Sequence, residues 1–144
     1  MSFTVYVPRD SSAVSLGADK VARAVAAEGA KRGTSVKLVR NGSRGMFWLE
    51  PMVEVQTREG RIAYGPVDAK DVASLYENNF LYGGEHHLRL GPTEEIPYFK
   101  QQERLTFARV GIVDPVSIDD YIAHGGYRGL KSAQAMEPDR KSVV

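Results

Sequence analysis

The residues best suited to chemistry in this chain lack partners at the spacing that catalysis or metal binding requires. Glu85, His86 and His87 are contiguous, but consecutive residues of an extended chain point to opposite sides, and three adjacent ligands without a fourth are poor spacing for zinc. The carboxylate pairs at 94–95 and 119–120 are adjacent rather than opposed, with no histidine or nucleophile in a motif beside them. We therefore predict no catalytic, cofactor-binding or metal-binding residues.

A second group combines guanidinium groups with aromatic planes. Arg40, Arg44, Phe47 and Trp48 lie within nine residues of one another, and proteins that bind single-stranded nucleic acid use the same two side-chain types. The surrounding sequence has no wider run of basic residues that would form a groove. We therefore predict that these four residues form an interface for a protein partner, or a packed aromatic cluster, and do not bind nucleic acid.

The overall charge of the chain also favours a protein interface over nucleic-acid binding. The chain has 144 residues, 19 of them Lys or Arg and 18 Asp or Glu, which leaves a net charge of +1. The first 44 residues contain eight basic and three acidic residues, so the positive charge is concentrated at one end. Such asymmetry favours a docking surface over binding of a polyanion along the whole protein.

The absence of cysteine excludes more chemistry than any other feature of the composition. With no Cys in the sequence, there can be no disulfide, thiol nucleophile, thiolate zinc site or Cys-ligated iron–sulfur cluster. The sequence also lacks an apolar stretch long enough for a signal peptide or a membrane span. We therefore expect a cytoplasmic protein with no membrane partner.

The pattern of apolar residues predicts an α/β fold. Strands are predicted at residues 3–7, around 36–38, at 52–56 and at 61–64, and helices at 12–32 and 68–78. Asp68 and Asp71 have the spacing of a capping box at the start of the second helix. The order β-α-β-β-β-α predicts a thioredoxin-like fold, with a four-stranded mixed sheet and helices packed on it.

The character of the sequence changes after Gly84. Pro92, Pro97 and Pro115 interrupt the chain, so we predict an extended arm with one short helix at about 98–105 and a last helix capped by Ser117 or Asp119. This division gives a thioredoxin-like domain at residues 1–84 and an arm at residues 85–144.

One stretch resembles a known family. Residues 42–51, GSRGMFWLEP, resemble the second cluster loop of thioredoxin-like 2Fe–2S ferredoxins, whose pattern is Gly-Cys-x-Gly-x-Cys-x-x-x-Pro. Ser43 and Phe47 stand where that pattern has cysteine, and Pro8 and Ala13 fall on the other two cysteine positions when the first loop is aligned on Gly17. The resemblance implies a ferredoxin-type domain that has lost its cluster, with the Phe47 side chain filling the vacated volume.

A second stretch extends the resemblance. Residues 95–130 are similar to the segment that precedes the flavin domain in the NADH-binding flavoprotein subunits of complex I, NAD-reducing hydrogenases and NAD-dependent formate dehydrogenases. With NGSRGMFWLEP at 41–51, the chain most resembles the beta (diaphorase) subunits of soluble formate dehydrogenases.

This resemblance implies a non-catalytic docking domain at the N-terminal end of a longer subunit. FMN, NAD and a 4Fe–4S cluster would then belong to the flavin domain, which is absent from this chain, and oxidation of formate to the parent complex. Its partners would be that domain and the other iron–sulfur and molybdenum or tungsten subunits. The alternatives are a free-standing thioredoxin-like module that binds an anionic ligand, or the equivalent domain of a hydrogenase or complex I.

Overall fold

A computed structural model describes residues 2–136. It contains one mixed sheet with the strand order β2-β1-β3-β4-β5. The strands are β1 (Ser2–Tyr6), β2 (Ser35–Val39), β3 (Val53–Thr57), β4 (Gly60–Tyr64) and β5 (Arg89–Pro92). The helices are α1 (Ser11–Ser15), α2 (Ala18–Lys31), α3 (Val72–Glu77), α4 (Pro97–Lys100), α5 (Ile118–Ala123) and α6 (Arg128–Gln134).

The predicted start of the fold, a β-α-β unit followed by a hairpin, is present. β1 and β2 are parallel and are connected through α2, whereas β3 pairs antiparallel with both β1 and β4. The capping box is also present, because the Asp68 side chain and the Asp71 side chain each accept a backbone hydrogen bond from the other end of the turn. These elements have strong local signals, which is why the sequence predicts them.

The predicted count of four strands is wrong, because β5 adds a fifth strand at the edge beside β4. This strand is only four residues long and includes Gly91 and Pro92, so it lacks the alternation that marks a strand in sequence. It lies beyond residue 84, so the sheet takes strands from both sides of the predicted domain boundary. The predicted arm includes residues 137–144, which lie outside the described residues.

The long helix predicted at 12–32 is divided in two. Gly17 has a φ of +103°, in the left-handed region that favours glycine, and it separates α1 from α2. The short helix predicted at 98–105 ends at Lys100, while the last predicted helix is present as α5 with Ser117 as its cap. α6 was not predicted. Among residues 2–136, no helix combines the length and apolar character needed to cross a membrane.

The sheet separates two groups of buried side chains. Val53 and Val55 of β3 join the main core with Val21, Val25 and Leu75 from the helices. Glu54 points to the other face because side chains alternate along a strand. On that face Ala63 packs with Met46, Met52 and Phe99. Residues 46–52 and the segment after β5 therefore cover the face of the sheet that carries Glu54.

Candidate functional site

Two loops meet at the end of the parallel pair β1 and β2. The first loop, residues 8–17, follows β1, and the second loop, residues 41–51, follows β2. The backbone N–H of Arg9 donates to the carbonyl oxygen of Asn41 at 2.9 Å, which extends the strand pairing into the loops. Neighbouring parallel strands end at the same edge of a sheet, so the topology itself brings together the four positions assigned by the ferredoxin resemblance.

Asp10 connects the two loops. Its Oδ1 accepts hydrogen bonds from the backbone N–H groups of Ser12 and Ala13, both at 3.2 Å, and from the hydroxyl of Ser12. Its Oδ2 accepts from the backbone N–H of Ser43 at 2.8 Å. Partial burial acts to raise the pKa of Asp10, but these hydrogen bonds outweigh it and hold the pKa below its ordinary value. Asp10 is therefore an ionised link between two of the four assigned positions, Ala13 and Ser43.

The four assigned positions do not fit a 2Fe–2S cluster. Pro8 and Ala13 are buried, Ser43 is half-buried, and none of the four side chains offers a thiolate or an imidazole. Phe47 is 58% exposed, so the expectation that its ring fills the vacated volume is wrong. The loops are held together by the Asp10 carboxylate rather than by an aromatic side chain. Residues 2–136 also contain no group of three His, Cys, Asp or Glu side chains placed to hold a metal ion.

A buried carboxyl group lies in the second loop. Glu50 is 5% exposed, and its Oε2 accepts from the backbone N–H of Met52 at 2.9 Å. Desolvation raises the pKa of Glu50, and the negative charges of Asp10 and Glu54 act in the same direction. Sequence reasoning missed this residue, because Glu50 stands in a loop motif whose other members suggested an exposed surface.

Arg40 is half-buried, and its guanidinium group is bound by groups of the protein. Its guanidinium donates to the carbonyl oxygens of Val7 at 3.1 Å and Pro8 at 3.0 Å, and to the carboxylate of Asp19 at 2.6 Å. These bonds fix the start of the first loop against the end of β2. Arg40, predicted as a partner-interface residue, therefore also positions the first loop.

Arg44 is buried, so the prediction that it belongs to a partner interface is wrong. Its side chain is 4% exposed and forms two hydrogen bonds with Glu54, at 2.8 and 2.9 Å, and one with Glu94 at 2.9 Å. Desolvation acts to lower the pKa of Arg44, but the charges of Glu54 and Glu94 raise it above its ordinary value. A group held in this way is not available to a partner surface.

The same ion-pair network holds the segment that follows β5. Arg61 lies 3.5 Å from Glu54 and donates to the carbonyl oxygens of Gly111 at 2.8 Å and Ile112 at 3.2 Å. The side-chain amide of Asn41 also donates to the carbonyl of Gly111, at 2.8 Å. Gly111 has a φ of +81°, and a Cβ there would lie 2.3 Å from Cγ of Arg44. The close approach of Gly111 to Arg44 therefore requires glycine at this position.

Phe47 and Trp48, the other two predicted interface residues, are exposed. Trp48 is 62% exposed, and its ring packs edge-on against Tyr98 with 5.3 Å between centroids. An open cleft of about 650 Å³ lies between the second loop and residues 98–110, with Phe47, Leu105 and Phe107 among its lining residues. The lining combines these apolar side chains with polar and charged ones, among them Glu103 and Arg104.

The two adjacent histidines have structural contacts. Nδ1 of His86 accepts from the backbone N–H of Leu88 at 3.2 Å, and its Nε2 lies 3.0 Å from the Ser74 hydroxyl. Desolvation lowers the pKa of His86, and the charge of His87 lowers it further. The imidazole is thus built into a turn through its contacts with Ser74 and Leu88.

Comparison with known proteins identifies the fold. No protein-family model matches the chain, and no curated protein matches it. A structure of the thioredoxin-like [2Fe-2S] ferredoxin from Aquifex aeolicus matches with a TM-score of 0.53 and 18% identity, over 66% of this chain and 96% of that one. The 1.5 Å structure of the same wild-type ferredoxin gives 0.51 and 19%, over 62% and 96%. A cysteine-to-serine variant gives 0.50 and 21%, over 62% and 98%.

These identities are too low to indicate more than the shared architecture. The predicted α/β, thioredoxin-like class is confirmed, and the sheet has five strands rather than four. The chain therefore has the fold of thioredoxin-like ferredoxins, without the thiolates that would hold a cluster.

Proposed function

We propose that this chain is a non-catalytic docking domain of a ferredoxin type, in the NADH-binding flavoprotein subunit of a cytoplasmic NAD-dependent formate dehydrogenase. The observation that carries the proposal is the hydrogen bonding of Asp10, whose carboxylate binds the backbone at two of the four positions assigned to the lost cluster. Under the proposal the fold is retained without its cluster ligands, and a carboxylate beside those positions holds the two loops together. Such replacement is expected when a domain keeps a role in assembly after losing its role in electron transfer.

The segment after β5 supports the same role. Most of its large apolar side chains are exposed, among them Leu105 at 82%, Val116 at 70% and Phe107 at 65%. Soluble domains rarely leave a continuous region of this kind uncovered unless it meets another protein. Under the proposal, the flavin domain and the neighbouring subunits would cover it, and FMN, NAD and 4Fe–4S would belong to those partners.

The proposal is tested by co-expressing the tagged full chain separately with three sets of partners. These are the flavin domain and remaining subunits of a soluble NAD-dependent formate dehydrogenase, of an NAD-reducing hydrogenase and of complex I. We expect the formate dehydrogenase set to co-purify in a fixed ratio and to reduce NAD with formate. Preferential assembly with either other set would transfer the role to that enzyme, and assembly with none would refute the docking role.

The alternative of an anion-binding module that uses Arg40, Arg44 and Trp48 has weaker support. Arg44 donates to two carboxylates and Arg40 to one, so both guanidinium groups already have negative partners. A module of that kind would have to use other cations.

A further inference from the structure

The two loops carry most of the exposed apolar side chains of the sheet domain. Between residues 2 and 97 five large apolar side chains are exposed, and four of them are Val14, Leu16, Phe47 and Trp48. The fifth, Tyr82, lies elsewhere and packs edge-on against Phe3 at 4.9 Å. Concentration of apolar surface on two hydrogen-bonded loops indicates a place that another molecule covers.

The first loop and the start of α2 add an excess of positive charge. Asp19 is bound by Arg40 at 2.6 Å. That hydrogen bond lowers the pKa of Asp19, and the nearby charges of Arg23 and Arg9 lower it further. Arg9 and Arg23 are exposed and form no ion pair within residues 2–136. Arg9 and Arg23 therefore present exposed positive charge that can meet carboxylates of a partner.

We propose that these two loops form a docking surface for a protein whose complementary face has an apolar centre and an acidic rim. The apolar centre would cover Val14, Leu16, Phe47 and Trp48, and the rim would meet Arg9 and Arg23. Val14 and Leu16 are aliphatic and offer no stacking surface for bases, so their place beside Phe47 and Trp48 favours a protein over a nucleic acid. The inference rests on the proposed docking function and specifies which surface performs it and what chemistry the partner presents.

The test measures binding of the full chain to the purified remainder of a formate dehydrogenase as a function of salt concentration. The charge-reversed variant is Arg9→Glu with Arg23→Glu, and its matched control is Arg58→Glu with Lys70→Glu, two exposed cations outside the loops. Reversal in the loops should weaken binding about tenfold or more and flatten its salt dependence, because rim charges act mainly through complementary potentials. The control should stay near wild type.

The apolar part of the surface has its own pair of variants. Phe47→Ser with Trp48→Ser should abolish detectable binding, whereas Tyr82→Ser should leave it unchanged. Circular dichroism verifies that each variant is folded. If wild-type chain binds the partner and all loop variants bind equally well, the docking surface is refuted while the proposed function stands.

A second probe covers the case in which formate dehydrogenase does not bind and the proposed function fails. Amide chemical shifts of the full chain are followed while a short peptide of glutamate and leucine is added, then its lysine and leucine counterpart, then single-stranded DNA. Shifts confined to the two loops with the acidic peptide alone would support the surface chemistry. No loop shifts with that peptide, or a stronger response to DNA, would overturn it.

Discussion

The carboxylate of Asp10 accepts a hydrogen bond from the backbone N–H of Ser43 at 2.8 Å, across 33 residues of sequence. The same carboxylate caps α1 through Ser12 and Ala13. A single side chain therefore performs two tasks: it caps α1 within the first loop, and it fixes the second loop against the first. In this chain, therefore, an ionised carboxylate connects the two loops.

Removal of the Asp10 carboxylate should destabilise the protein and loosen the second loop. We expect Asp10→Ala to lower the free energy of unfolding by about 1–2 kcal/mol, since it removes a helix cap and a long-range acceptor. Urea denaturation measures the first effect and hydrogen exchange at the Ser43 amide the second. Asp68→Ala, which removes a cap unconnected to either loop, should leave exchange at Ser43 unchanged. Equal exchange rates at Ser43 in wild type and Asp10→Ala would contradict the linking role.

The assigned ligand positions can be tested by restoring the cysteines. A variant with Pro8→Cys, Ala13→Cys, Ser43→Cys and Phe47→Cys should bind iron and sulfide on reconstitution and acquire visible absorption. The wild-type chain treated in the same way should stay colourless, because it has no thiolate. A folded variant without cluster absorption would show that these four positions are not the former ligand set.

The buried pair of Arg44 and Glu54 should be far more important to stability than the exposed ion pairs. Arg44→Met leaves the Glu54 carboxylate buried, with Arg61 as its remaining charged partner at 3.5 Å. We expect a loss of about 3–5 kcal/mol, with partial recovery when Glu54→Leu is added. The exposed pair Lys100–Glu95 provides the control, and Lys100→Met should cost less than about 1 kcal/mol. Additive effects in the Arg44 and Glu54 cycle would contradict direct coupling.

Glu50 should make stability depend on pH in a predictable direction. Its pKa is raised in the folded state by desolvation, whereas in the unfolded chain it is about 4.3. Between these values the folded protein holds more protons than the unfolded chain, so the contribution of Glu50 to stability is present at low pH and is lost as pH rises through the folded pKa. Glu50→Gln removes this titration.

The variant should therefore gain stability relative to wild type as pH rises from about 4 to 7. Urea denaturation at a series of pH values measures the difference in the free energy of unfolding between the two proteins. The contributions of the other titrating groups largely cancel in this difference. Curves that stay parallel for the two proteins would contradict a raised pKa for Glu50.

The main elements of the fold could be predicted from the sequence because they depend on residues close together in the chain. The Asp68–Asp71 capping box and the hairpin of β3 and β4 depend on neighbouring residues, and both were predicted. β5 was missed because Gly91 and Pro92 remove its alternation, so its place in the sheet depends on pairing with β4. The break at Gly17 was missed because glycine is also tolerated inside a helix.

The candidate site was predicted only in part, because several of its contacts join residues that are far apart in the sequence. The position of the second loop follows from the β-α-β order, and Phe47 and Trp48 are exposed as an interface requires. Arg44 is bound by Glu54 and by Glu94, which is 50 residues away, and it packs against Gly111. No local pattern predicts contacts between residues so far apart. The link from Asp10 to Ser43 is likewise a long-range contact that appears only once β1 and β2 are side by side.

The intact mass, visible spectrum and formate-dependent activity of the species purified from its native source test the central claim most directly. The account predicts that this sequence is found within a polypeptide several times 15.9 kDa, in a complex with flavin and iron–sulfur absorption that reduces NAD with formate. A colourless protein of 15.9 kDa without associated subunits would contradict it.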